Sequence, residues 1–454
     1  MPCRRLRTIL SDPSGGTERP SDPYLDTALR HSALQRPFPN GRAAVLAALF
    51  AAFIIYGSLY PFQFHALAGE AGLITALTTQ WLRWPGSRGD LLVNLVLYMP
   101  LGLFLALALR GPDGSRRPAI LRLLLTTSLG AVLSFAIEVT QLHISARFSS
   151  LSDLVLNTTG TLAGAMAALL MDVAGWSRLG VVAPSARRHP AEPFAALLVL
   201  AWLGYRLYPY VPVIDLHHYW HSLKPLLLAP TLEPLRTLRL AVLWLVAARL
   251  TEAALLGHGL RGWPLLVPGL LLGTLVAQVP ILDSRLSLAE VLGLGLGLLA
   301  WVILWRMRHG RQVNAFLALV LATVILTERL APFTFSADPL QPFSWVPFRS
   351  VLRGHWEIGL QAMLQKLYLY GALLWLAVRA GHRLSVMAAA LATALLTTSL
   401  MQTHIPGRSP EVTDAVLGLI VALVFVVLGG SNGAPPMARA RWRARRANDK
   451  RMLS

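Results

Sequence analysis

Three polar pairs interrupt the apolar first third of the chain. They are Asp90 with Asn94 in DLLVNLVLYMPLG, Glu138 with Gln141 in EVTQ, and Asp153 with Asn157 in DLVLNTTG. Spacings of three and four put each pair on one face of a helix. Carboxylates can bind or exchange protons, and amides can orient them. Arg147, between the second and third pairs, is the expected partner of Glu138 and Asp153, a planar fork able to hold a carboxylate or, as the alternative, a lipid phosphate bidentately. Within a membrane an ionised side chain costs about 2.5–3.5 kcal/mol even on a lenient insertion scale. Asp90, Glu138 and Asp153 therefore call for a partner or a task. Asn94, Gln141 and Asn157 have an equally good use as interhelical hydrogen-bond partners, worth about 0.6 kcal/mol each.

The elements that must position these groups are membrane spans. Of 454 residues, 55% are apolar and 14% charged, far less charge than a soluble domain carries. Runs near the roughly 20 residues needed to cross a bilayer are expected at 43–60, 90–109, 119–141, 151–173, 193–209, 235–257, 262–282, 286–305, 313–333, 360–379, 383–403 and 411–429. The chain is read as an all-α polytopic transmembrane bundle of about twelve spans. Arg110, Arg116 and Arg117; Arg178, Arg187 and Arg188; Arg261; Arg306, Arg308 and Arg311; and Arg379 and Arg383 fall in alternate connections. These share a side with the basic tails at 1–42 and 430–454. By the positive-inside rule that side is the cytoplasm, so QLHISARFSSLSD (141–153) lies at the outer face.

The net charge of +19 is concentrated in the tails, where it fits anionic lipid; nothing beside them resembles a nucleic-acid-binding module. Cys3 is the only cysteine, which excludes an intrachain disulfide. The first span is expected to act as a signal-anchor.

QLHISARFSSLSD has two relatives, QVPILDSRLSLAE (278–290) and QTHIPGRSPEVTD (402–414). Each has Gln first, Ile three residues on, Arg six or seven on, and an acid twelve on. With 22 acids in 454 residues, an acid at a given offset has a chance of only 22/454, about 0.05. LYPF (59–62), LYPY (207–210) and LAPF (330–333) mark the same period. The expected organisation is three parallel four-helix units at 43–173, 193–305 and 313–429. Gln278, Arg285 and Glu290, then Gln402, Arg408 and Asp414, are the repeat equivalents of Gln141, Arg147 and Asp153. Lys366 in KLYLY falls where Asn94 stands in NLVLY. Leu294 and Gly418 replace Asn157, and Ser399 stands for Glu138.

The stretches DLLVNLVLYMPLG (90–102) and IEVTQLHISARFSSLSDLVLNTTGTLAG (137–164) resemble the VanZ-like family of small four-span membrane proteins. They follow its pattern of D-x-x-x-N before a Pro-Gly span, then E-x-x-Q, Arg, Asp and Asn-x-x-Gly. The resemblance covers about 50–170. It implies a cell-envelope role, since the founding member is associated with low-level teicoplanin resistance, and it implies no specific catalysis.

No cofactor-binding or phosphate-cradling motif is present. Glu138, His143 and Asp153 could ligate a metal, but their spacing matches no zinc or calcium motif. His217, His218 and His221, in an outer aromatic-rich connection, leave an interfacial belt and metal capture as alternatives. PFTFSADPLQPFSWVPF (332–348) is either an interface-hugging loop or a cover over an outer cleft. The leading reading is a bacterial cytoplasmic-membrane protein, both termini inside, whose acid–amide–arginine cluster engages an envelope lipid or a lipid-linked cell-wall or polysaccharide precursor. A membrane enzyme on a lipid-linked sugar, with Glu138 or Asp153 as general acid or base, and a proton-coupled transporter are the rivals.

Overall fold

The computed structural model describes residues 39–65, 88–110, 118–144, 149–173, 192–228, 230–256, 262–282, 285–306, 310–353 and 356–428. Cys3 and the first tail up to residue 38, Arg147, and the tail at 430–454 lie outside the described residues. The helices, in chain order, are α1 (Pro39–Leu59), α2 (Arg88–Ala108), α3 (Ala119–Gln141), α4 (Leu151–Val173), α5 (Pro193–Arg206), α6 (Leu216–Leu228), α7 (Pro234–Leu256), α8 (Trp263–Ala277), α9 (Leu288–Arg306), α10 (Arg311–Leu330), α11 (Arg349–Arg353), α12 (Trp356–Arg379), α13 (Leu384–Met401) and α14 (Thr413–Val427). Each of the twelve expected segments is helical. The protein is an all-α membrane bundle, and among the described residues no strand forms.

Six stretches are long and apolar enough to cross a membrane: 41–59, α3, α4, α9, α10 and 384–404. Shorter apolar helices include α5, α8 and α14. Their burial is the reverse of a soluble bundle. On α3 the buried face is Arg122, Thr126, Gly130, Ser134 and Glu138, polar or small at every fourth residue. Leu124, Val132 and Phe135 point outward, 61%, 65% and 49% exposed. Lipid is as apolar as leucine, so small and polar residues hold the helices together here.

One difference concerns the connection after α5. The histidine-bearing stretch forms α6 rather than a loop, with Leu216 and Trp220 exposed. Among the described residues no group of three His, Cys, Asp or Glu could hold a metal. His218 instead contacts the Ile281 carbonyl at 3.0 Å.

α2 packs chiefly on α4 and α1, and α3 on α4. Glycines permit the close approach. A Cβ at Gly102 would meet the Thr161 carbonyl, and one at Gly164 the Met99 carbonyl. The second and third groups of helices (α5 and α7–α9; α10 and α12–α14) share one apolar core around Trp202, Trp244, Tyr368 and Leu374.

Candidate functional site

The site grows from a backbone joint. α1 ends at Leu59, and the chain turns through a cis Tyr60–Pro61 bond and Phe62 at φ 63°. It then pairs with the segment after α3, where His65 N donates to His143 O at 2.8 Å. The same joint closes the next group at Pro209, with Val213 N to Pro280 O at 2.8 Å, and the last at Pro332, with Ser336 N to His404 O at 2.9 Å. Each donor lies four residues past the proline and each acceptor two past the glutamine. The glutamines lie beneath. Gln141 Nε2 donates to Ser58 O and Gln402 Nε2 to Arg329 O, both at 2.9 Å. Gln278 instead faces Arg206, 3.5 Å from its Nη2.

Under the first joint, α2, α3 and α4 bring the acids together. Asn94 Nδ2 donates to Asp153 Oδ1 at 2.8 Å. The Glu138 side chain is buried, 2% exposed, and accepts from Ser149 Oγ at 3.0 Å and Ser150 N at 2.9 Å. One turn deeper Asn157 donates to Ser134 Oγ at 2.9 Å, and its Oδ1 has no hydrogen-bond partner. Tyr98, on α2, is buried with Ile54, Leu101 and Ile137, 1% exposed. Asn94, Glu138, Asp153 and Asn157 thus lie together on α2–α4, while Gln141 ties α3 to the end of α1. Asp90 lies in the first turn of α2.

The other two groups solve the same problem with arginine. Arg206, at the end of α5, forks onto Glu290 with contacts of 2.7 and 3.1 Å. Its guanidinium also lies 4.8 Å from the Trp244 ring centroid, and the Trp244 indole donates to Glu290 at 3.3 Å. Arg329, near the end of α10, pairs with Asp414. It donates to Thr398 Oγ1 and Ser399 Oγ at 2.7 Å each, to Leu395 O at 3.2 Å and to Tyr370 OH at 3.3 Å. Lys366 Nζ adds a second cation 2.7 Å from Asp414 Oδ1. Lys366 thus meets Asp414 as Asn94 meets Asp153.

The arginines expected from the sequence do something else. Arg408 caps α10, with Nη2 2.8 Å from Glu328 O and 2.6 Å from Ala331 O. Arg285 is exposed. The sequence reading missed Arg206 and Arg329, although both stand three residues before the marker prolines, where the first group has Ser58.

The third group also reaches the first. Tyr56 OH donates to Pro347 O at 2.8 Å and Arg353 Nε to Tyr60 OH at 3.0 Å. The Phe348 ring lies edge-on to Phe53. The 332–348 segment is therefore tied to the Leu59 end of α1.

Residues 38–172 match the family model described as VanZ/LLP1. No curated protein and no solved structure matches the chain. The matched stretch runs from the start of α1 to the end of α4 and contains the whole Asn94–Glu138–Asp153–Asn157 assembly. Residues 38–172 thus form the VanZ-like domain of this integral membrane protein.

Proposed function

We propose that the protein acts in the bacterial cell envelope, binding a lipid or glycolipid headgroup at the outer leaflet through the α2–α4 assembly of its VanZ-like domain. The supporting observation is the burial of Glu138 beside Asp153 on adjacent helices, with neutral donors from Ser149 and Ser150. Buried carboxylates of this kind are expensive in a membrane and mark functional sites. In this reading twelve spans cross the cytoplasmic membrane with both termini inside. The three groups of helices are repeats of one unit, and the second and third are scaffold whose acids are satisfied internally. A link to glycopeptide resistance comes from family likeness alone.

The test is mass spectrometry of lipids co-purifying with the full chain and with Glu138→Gln. Selective retention of one envelope lipid, lost in the variant at unchanged thermal stability, is expected. Identical lipid profiles would reject the reading.

A second reading, proton-coupled transport, is favoured by the buried face of α3. Polar or small residues run from Glu138 through Ser134, Gly130 and Thr126 to Arg122. Arg122 pairs with Asp172 at 2.8 Å near the opposite end of α4. Substrate uptake driven by a pH gradient in proteoliposomes would select it.

A further inference from the structure

α9 and α10 follow one another in the chain, but each packs on other helices. α9 lies chiefly on α7, where a Cβ at Gly297 would meet the Ala241 carbonyl at 2.9 Å. α10 packs on α7, α12 and α13. Between α9 and α10 a groove of about 420 Å³ runs along the seam of the second and third groups. Leu245 and Leu317, 7% and 4% exposed, form its floor, and Ala300, Ile303 and Phe316 stand along its walls. Ile303 and Phe316 are 48% and 64% exposed, so the groove opens away from the bundle. Both flanking helices are long and apolar enough to cross a membrane. Ala300 stands six residues before the end of α9, about 9 Å along the axis at about 1.5 Å per residue. The groove therefore begins near the helix ends and runs inward to acyl-chain depth.

The mouth of the groove is cationic. Arg306 stands three residues beyond Ile303, on the same helix face. Helical side chains lean toward the N-terminus, so Arg306 belongs to the rim above Ile303. Arg311 adds a second charge beside Gln312, the one polar residue that lines the groove. Its guanidinium reaches over the α12–α13 turn, with Cζ 3.5 Å from where a Cβ on Gly381 would stand. Both arginines are exposed, and among the described residues neither meets a carboxylate. The connections joining α7 to α8, α9 to α10 and α12 to α13, residues 257–262, 307–310 and 380–383, hold no Asp or Glu. Cations above an apolar groove are complementary to a molecule with an anionic head and a hydrocarbon chain.

We propose that the seam between α9 and α10 binds an anionic phospholipid. One acyl chain lies in the groove over Leu245 and Leu317, and the phosphate sits at Arg306. In a bilayer an unfilled groove forfeits dispersion contacts along its whole lining, and a flexible acyl chain restores them. Guanidinium and phosphate match in geometry and pair bidentately, and the Gln312 amide brings two further N–H donors to the rim. Bound there, the lipid seals the seam between the second and third groups. The site is separate from the α2–α4 assembly, which belongs to the first group and to the opposite end of the spans.

The full chain is placed in nanodiscs of phosphatidylglycerol and phosphatidylcholine in equal parts, and the lipids that stay bound after transfer to mild detergent are read by native mass spectrometry. Preferential retention of phosphatidylglycerol is expected. Arg306→Gln combined with Arg311→Gln should lower it by about tenfold, the loss of one charge-assisted hydrogen bond. Ala300→Phe, which fills the groove and leaves the arginines in place, should lower it as well. Glu138→Gln should leave it unchanged, so this test and that of the α2–α4 headgroup reading fail separately. Thermal midpoints near that of the unaltered chain establish that each variant is folded. Equal retention of both lipids, or unchanged retention in the arginine variant or in folded Ala300→Phe, overturns the proposal. An equal loss in Glu138→Gln would place the retained lipid at the α2–α4 assembly and overturn it too. Should Ala300→Phe not fold, competition by glycerol phosphate decides the part played by the groove. Failure of the soluble headgroup to displace the lipid is expected, and displacement as complete as that by dioctanoyl phosphatidylglycerol overturns the seating of the chain.

Discussion

Arg408 donates through Nη2 to the carbonyl oxygen of Ala331 at 2.6 Å. The bond carries the arginine 77 residues back along the chain, onto the end of α10. The last carbonyls of a helix have no intrahelical partner, and an arginine fork is suited to collect them. Arg408→Ala should therefore lower stability by about 1–3 kcal/mol, the range for charged hydrogen bonds and stranded acceptors. Arg408→Lys should recover part of the loss. Thermal unfolding in detergent measures both, and a neutral Arg408→Ala would mean that water or headgroups cap α10 equally well.

Asp414 answers two cations, Arg329 and Lys366, and only 6% of it is exposed. Removing one side of a buried pair leaves the other uncompensated, at a cost of about 3–5 kcal/mol. Asp414→Asn should reach that range. Lys366→Asn should cost under about 1 kcal/mol, because it restores the neutral donor that Asn94 provides to Asp153 and leaves Arg329 in place. Asp414→Asn combined with Arg329→Ser should be milder than Asp414→Asn alone. A double variant as unstable as the sum of its parts would show that the pair is not coupled.

How far the sequence alone could reach depended on which physical signal each residue carried. α3 and α4 end where the apolar runs end, at Gln141 and Val173, because bilayer thickness sets span length directly. Lys366 aligns with Asn94 through the three residues that KLYLY and NLVLY share, and the geometry puts it on the matching acid. Arg206 and Arg329 were harder. Each closes an apolar run, where an arginine ordinarily snorkels to the interface, and the inward turn of each depends on tertiary packing. Their shared offset from Pro209 and Pro332 was the available signal. The histidine-bearing α6 was hidden because Pro225 and a mixed polar composition weaken its helical pattern.

The α2–α4 approach should tolerate no added methyl. A Cβ at Gly164 would meet the Met99 carbonyl, and one at Gly160 the Leu95 carbonyl. Backbone cannot yield as a flexible side chain can, so Gly164→Ala and Gly160→Ala should each cost about 1–3 kcal/mol or more through overpacking. Gly295→Ala is the control, since nothing lies within 4 Å of its added Cβ. Equal midpoints for Gly164→Ala and Gly295→Ala would refute the close approach.

The proposed twelve-span arrangement makes a labelling prediction. With Cys3 replaced by serine, cysteines introduced singly within 142–150, 283–286 and 404–410 should react with a membrane-impermeant thiol reagent in intact cells. Cysteines within 111–118 and 431–438 should not. The reverse pattern would invert the orientation, and uniform labelling would reject the span assignment.

Arg147 is the last case, and Arg408 is its counterpart when both are counted from their glutamines. Two roles compete for it. As a partner of Glu138 and Asp153 it would neutralise buried acids, and losing it would strand them. As a carbonyl cap it would act apart from them, as Arg408 does apart from Asp414. In the other two groups the acid is met from the end of the first helix, by Arg206 and Arg329, and not by the loop arginine. By that analogy we predict the capping role for Arg147 rather than the pairing with Glu138 and Asp153. Arg147→Ala and Asp153→Asn should then be additive in thermal stability within about 0.5 kcal/mol, as independent sites are. A coupling nearer about 3 kcal/mol, with Asp153→Asn rescuing Arg147→Ala, would instead make Arg147 the neutralising partner of the acids. Lipid retention by Arg147→Ala separates the outcomes a second way. A cap can be lost with the headgroup still bound, whereas a neutralising arginine cannot be removed without changing the charge that the headgroup meets.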